Sequence, residues 1–215
     1  MSLLRTLLMP PRCALIAVTA LAAALEGCSS VPSPSPPREY LDEHTAATVD
    51  VVGSPLVFYR EHPELAVHMR DYVTVAAAAV DRQGKTDYVL IAYFWTTFDA
   101  HAQTDDASLR TVSAPTTTKA VPDRLILAAD DRRIELERMA HSTPEAGIGE
   151  MVHAPPGHTF IAGVYRTDLA TLRFVAASRH LDLLREANDS DSRYPLWDDQ
   201  RLSLAAFVQH IEGAP

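Results

Sequence analysis

Nine histidines are spread through the chain, and only two pairs lie close together. His62 and His68 are separated by Pro63–Val67; His153 and His158 flank Pro155-Pro156. Neither pair has the His-Glu-x-x-His form that puts two imidazoles on one helix face beside a general base. His153 and His158, with Glu150, are the one set whose donors could close on a cation from an irregular loop, and they are weak candidates. Histidines in polar loops are more often exposed bystanders, so no metal or other cofactor is expected. The run Asn188-Asp-Ser-Asp-Ser192, followed by Asp198 and Asp199, carries hard oxygen donors. It lacks the glycine and glutamate that a calcium loop needs at fixed offsets. A solvated turn and a helix cap account for these acids equally well.

No Gly-x-Ser-x-Gly elbow is present, and Gly147-Ile-Gly149 lacks the third glycine of a dinucleotide fingerprint. No catalytic residue can therefore be named, although a triad assembled in space leaves no mark in sequence. Two aromatic sets are candidates for contact with a partner or ligand. Trp95 lies in Tyr93-Phe94-Trp95, where the simpler reading is two faces of a buried strand. Tyr194 and Trp197 flank Pro195-Leu196 beside acids, a composition favoured in contact surfaces and here expected in a loop.

The elements that would position these residues begin after an export signal. Arg5 and Arg12 flank the apolar run Cys13–Leu25, which is too short to span a membrane comfortably and suits the centre of a signal peptide. Leu25-Glu26-Gly27-Cys28 closes it. This tetrad resembles the lipobox of bacterial lipoprotein precursors, with Glu26 standing where a small uncharged residue is usual. The resemblance covers only the N-terminal region. It implies cleavage before Cys28, lipid on that cysteine as the membrane partner, and, with Ser29 following, the outer membrane facing the periplasm. Plain cleavage after Ala22-Ala23-Ala24 is the alternative and would release a soluble exported protein.

Cys13 and Cys28 are the only cysteines, so the mature domain has no disulfide and must be stabilised by burial. The net charge of −9 argues against nucleic acid, which needs a cationic face. Three segments are expected: residues 1–27 as signal, 28–39 as an extended Pro/Ser tether, and 40–215 as one globular domain.

Within that domain the strongest signal is a hairpin. Asp71–Val80 and Thr86–Phe98 flank Asp81–Lys85, where Gly84 supplies the positive φ of a tight turn. The second arm is apolar on both faces, so it should be central and covered on both sides. The alanines at 76–79 are expected opposite its aromatics. A second hairpin turns at Asp130-Asp131. Thr167 is expected to cap a helix over 168–178, and Asp198 or Asp199 a last helix reaching Ile211. The sum is a β-rich α+β domain: an antiparallel sheet or sandwich-like core with one or two helices packed on it.

The leading functional expectation is an envelope lipoprotein acting as a non-enzymatic binding or accessory module, with an envelope protein as possible partner. A periplasmic module for a small ligand, with segments 101–121 and 141–158 as lips, is the alternative. A hydrolase or metal-dependent enzyme ranks third.

Overall fold

A computed structural model describes residues 34–62, 69–97, 121–156, 159–187 and 190–213. Cys28 and its lipobox, His68, His158, segment 101–120 and Asn188-Asp189 lie outside the described residues. The organising element is the expected hairpin of β4 (Met69–Arg82) and β5 (Lys85–Thr96), paired from Asp71↔Thr96 to Arg82↔Lys85. Its two-residue turn has φ of 57° at Gln83 and 81° at Gly84, the double positive φ of a type I′ turn. The Asp81 carboxylate accepts from the Gly84 N–H and the Thr86 hydroxyl, fixing the register from outside the ladder.

Both faces of β5 are buried, as its composition requires. Leu90, Ala92 and Phe94 enter one core; Val89, Ile91 and Tyr93 enter a second. Of the four alanines only Ala79 is opposite an aromatic, Tyr88. Ala76, Ala77, Ala78 and Ala79 pair with Ile91, Leu90, Val89 and Tyr88, while Tyr93, Phe94 and Trp95 face Thr74, Val73 and Tyr72.

The remaining strands are β3 (Leu56–His62), β6 (Arg124–Ala129), β7 (Arg132–Ala140), β8 (Phe160–Thr167), β9 (Leu181–Ala187) and β10 (Ser190–Asp198). Antiparallel pairing runs β4-β3-β10-β9-β6-β7-β8-β5 and returns to β4, so eight strands close into a barrel. Two of its seams are short and carry register shifts. β3–β10 is paired only at Phe58↔Leu196 and Val57↔Asp198, and β7–β8 only at Arg138↔Tyr165 and Ala140↔Val164. The antiparallel sheet with two packed helices is as expected; in place of a sandwich-like form, it is one sheet whose edges join into a barrel. Eight strands enclose just enough space for side chains to fill, and closure removes the exposed edges a sandwich would keep.

Two further strands, β1 (Arg38–Asp42) and β2 (Ala47–Val51), extend the sheet on the same edge of β4 that carries β3. Arg38 and Glu39, expected in the tether, are already strand. Arg38 is held by Glu150 and lies over the Tyr40 ring.

Helices α1 (Leu169–Ala177) and α2 (Arg201–Gly213) close one end of the barrel. Leu172 and Val175 of α1, and Leu204, Phe207 and Val208 of α2, enter the same core as Leu90, Leu127 and Leu183. The cap of α1 is Asp168 and not Thr167: its carboxylate accepts from the Thr171 N–H at 2.7 Å. A carboxylate suits the positive helix end better than a hydroxyl, and Thr167 remains part of β8. Asp168→Ala is expected to cost about 1 kcal/mol, read as a lower urea midpoint at unchanged slope. An unchanged midpoint would show that the cap contributes nothing.

The segment 141–156 is irregular, as expected, but it is no lip. Ala146, Ile148 and Val152 are buried in the second core with Val49, Val80 and Ile91. Asp42 accepts from the Gly149 N–H, Arg82 donates to the Ala146 carbonyl, and Tyr93 donates to the Val152 carbonyl at 2.8 Å. Burial pushes the Tyr93 phenol up to about 12, so it remains a donor throughout the physiological range. The Gly149 N–H holds the Asp42 carboxyl below its ordinary value of 3.8. That contribution is complete above the ordinary value and fades as pH falls through the lowered one.

Candidate functional site

Side chains alternate across a strand, so each barrel strand sends every second residue inward. Followed away from the helices, the inward series changes character. On β3 it runs Leu56, Phe58, Arg60, His62; on β4, Val75, Val73, Asp71; on β9, Leu181, Leu183, Arg185; on β10, Leu196, Tyr194, Ser192. The half nearest the helices is apolar. The far end is polar and charged, with Arg60, His62, Asp71, Arg185, Ser192 and Tyr194.

Asp71 is the centre of the group and is buried, with only 3% of its side chain exposed. Its Oδ2 lies 3.0 Å from His62 Nε2, and the Tyr194 hydroxyl donates to the same oxygen at 3.4 Å. Arg60 donates to the Ser192 hydroxyl across the β3–β10 seam. The Arg185 guanidinium lies 5.5 Å from the centre of the Phe94 ring. Burial raises the Tyr194 phenol and the Asp71 charge raises it further, against the lowering effect of Arg185.

Chemically, an ionised Asp71 makes His62 Nε2 the donor and leaves Nδ1 of a neutral ring as an acceptor. A carboxylate that fixes the tautomer of an imidazole is the orienting half of general acid–base machinery. The same contacts have a structural use. β3 and β10 share only two register pairs, and Arg60–Ser192 and Asp71–Tyr194 tie β3 and β4 to β10 beyond them.

The residues singled out in the sequence separate. Tyr194 and Trp197 are not in a loop but in β10, where alternation sends them to opposite faces. Tyr194 is 2% exposed and joins Asp71 inside the barrel, so it is no surface contact. Trp197 points outward and is 57% exposed. It meets Tyr59 edge-on at 4.9 Å, and Tyr59 neighbours Tyr72, which stacks on Trp95 at 4.3 Å with 11° between the planes. Trp95 and Trp197 thus end one row of four aromatics running over β5, β4, β3 and β10. Trp95 also donates to the Thr74 hydroxyl at 3.1 Å. Tyr72 and Trp95 cover each other's faces, which makes most of the row a set of cross-strand pairs; Trp197 is the member that offers surface.

His153 is described without its suggested partner His158, and one of its ring nitrogens is engaged. Its Nε2 is 2.6 Å from the Val52 carbonyl, and its backbone sits at φ 55° to reach it. The polar end was missed in sequence because Asp71, Arg60 and His62 stand where strands begin and end, and polar residues there read as boundaries. Extending the alternation of Leu56 and Phe58 by two steps would have placed Arg60 and His62 inward.

The barrel interior holds an apolar cavity of about 10 Å³ beside the helices, lined by Leu56, Val75, Leu90, Leu127, Leu172 and Leu204 among others. A space of that size holds at most one water, and apart from Ser54 its lining is apolar. The chain matches no protein-family model, no curated protein and no solved structure.

Proposed function

We propose that this chain is an exported lipoprotein of the bacterial cell envelope, anchored through lipid on Cys28. Its barrel serves as a non-enzymatic binding or accessory module at the membrane face. One arrangement carries the reading: the two ends of the barrel are chemically different, and the chain enters at the helix end. Ser35 meets the hydroxyls of Ser54 and Ser203, beside the start of α2. The polar group around Asp71 lies at the other end. A tether arriving at the helix end comes to the barrel opposite the polar end, and in this reading the polar end and the Trp197 row face an envelope partner. No helix among the described residues is long and apolar enough to cross a membrane; in this reading the anchor is the lipid on Cys28. Two or more acyl chains hold firmly, at about 0.8 kcal/mol per buried methylene.

The test is the intact mass and fractionation of the mature protein from a Gram-negative host, with Cys28→Ala beside it. The expected result is an acylated N-terminus in the membrane fraction and an unmodified Cys28→Ala protein that fails to reach it. An unmodified wild-type cysteine, or a variant that stays membrane-bound, would overturn the anchor.

A second reading, a small-ligand or acid–base site, is favoured by the convergence of His62, Asp71 and Tyr194. The interior cavity is too small to hold a ligand, so such a site would use the polar end of the barrel.

A further inference from the structure

Glu39 of β1 and Asp50 of β2 stand directly opposite each other as a cross-strand pair. Like charges in that position repel. Among the described residues neither is paired with an arginine or lysine. What faces them is His210, whose Nε2 lies 3.1 Å from Asp50 Oδ1. One donor atom from each of Glu39, Asp50 and His210 falls within 4.8 Å of the other two. His210 sits in the last turn of α2, where the helix end carries partial negative charge. Two carboxylates and a helix C-terminus therefore converge on one imidazole, and the local field favours a cation.

We propose that Glu39, Asp50 and His210 form a site for a divalent transition-metal ion of the zinc class. One imidazole and two carboxylates are borderline-to-hard ligands that suit such an ion, and three protein ligands leave a position for water. Bonds of about 2.0–2.2 Å would draw the three donors slightly together. Asp50 is held in a ladder, with 18% of its side chain exposed, and fixes the centre. Glu39 and His210 are more exposed and can adjust by side-chain rotation. The site differs from the His153/His158 pair suggested by spacing, because its ligands come from three separate elements far apart in sequence. Its consequence is mechanical. It ties α2, which closes the barrel, to β1 and β2, the strands the chain forms on entering the domain. The site stands whether or not the chain is lipid-anchored.

The experiment uses the full chain in detergent, stripped with EDTA and titrated with zinc chloride while binding heat and thermal unfolding are followed. One high-affinity equivalent and a rise in Tm that saturates with it are expected. Loss of a second-sphere partner weakens such sites by 10–100-fold, so loss of a ligand in His210→Ala or Asp50→Asn should weaken binding by at least about tenfold. Both positions are at the surface, and circular dichroism checks that the variants fold. Cobalt absorption gives an independent readout: a tetrahedral spectrum in the wild type should be absent from His210→Ala. Zinc that leaves Tm unchanged, or binding that survives in both variants with the same stoichiometry and affinity, would overturn the site. Zinc taken up only by other histidines gives that second outcome.

Discussion

Replacing Phe207 by alanine is expected to lower the unfolding free energy by about 3–5 kcal/mol. Phe207 is fully buried on the inner stripe of α2, in the core shared by both helices and the barrel strands. Its ring fills space that no neighbour can reclaim cheaply, because closed strands cannot move inward to collapse a hole. The described residues contain no cysteine, so no disulfide within them compensates, and a typical domain is stable by only about 5–15 kcal/mol. The substitution should therefore remove at least about a fifth of the total. Urea unfolding reads it as a lower midpoint at unchanged slope. Leu202→Ala on the same helix is the control: Leu202 is 61% exposed, and its loss should shift stability by no more than about 0.5 kcal/mol. Equal effects at the two positions would mean that α2 does not close the barrel as described.

Local signals were legible, and closure was not. Gly84 marked the central hairpin, and the two apolar faces of Val89–Phe94 marked a strand covered on both sides. The stripe Leu204, Phe207, Val208, Ile211 marked the last helix and its buried face. These depend on neighbours in sequence, and the structure agrees with them. The joins of β3 to β10 and β7 to β8 depend on residues far apart in the chain, each made by two register pairs. Nothing in either strand announces such a partner. The same limit hid the polar end, where Asp71 and Tyr194 meet across more than a hundred residues. Pro195 led to a different error. It suggested a loop, yet it pairs with Asp182 on one edge of β10, and pairing with β3 starts only at Leu196. Proline is tolerated where the ladder on one side is interrupted. Trp95 and Trp197 were selected by type alone. Their common row became visible only once β5, β4, β3 and β10 were known to be neighbours.

Asp71→Ala is expected to cost about 3 kcal/mol, because it strips two buried donors of their acceptor at once. His62 and Tyr194 both meet Oδ2 of this carboxylate, at 3.0 and 3.4 Å. The His62 and Asp71 side chains are 15% and 3% exposed, so water restores little of what is lost. Asp71→Asn keeps the volume and one acceptor and should recover roughly half of the loss. Tyr194→Phe should cost about 1 kcal/mol on its own, the usual worth of one buried hydrogen bond. The two sites should couple by at least about 0.5 kcal/mol in a double-mutant cycle, since they share one bond. Additive losses would show that the tyrosine and the aspartate act apart, and the converging site would lose its basis. The cycle also separates the two uses of this end. If the cluster only stitches β3 and β4 to β10, the variants weaken folding and leave capture of a partner or ligand intact wherever the protein remains folded. If it is a recognition or acid–base site, Asp71→Asn abolishes that capture or turnover at temperatures where it is still fully folded, because the charge that orients His62 is gone while the shape remains.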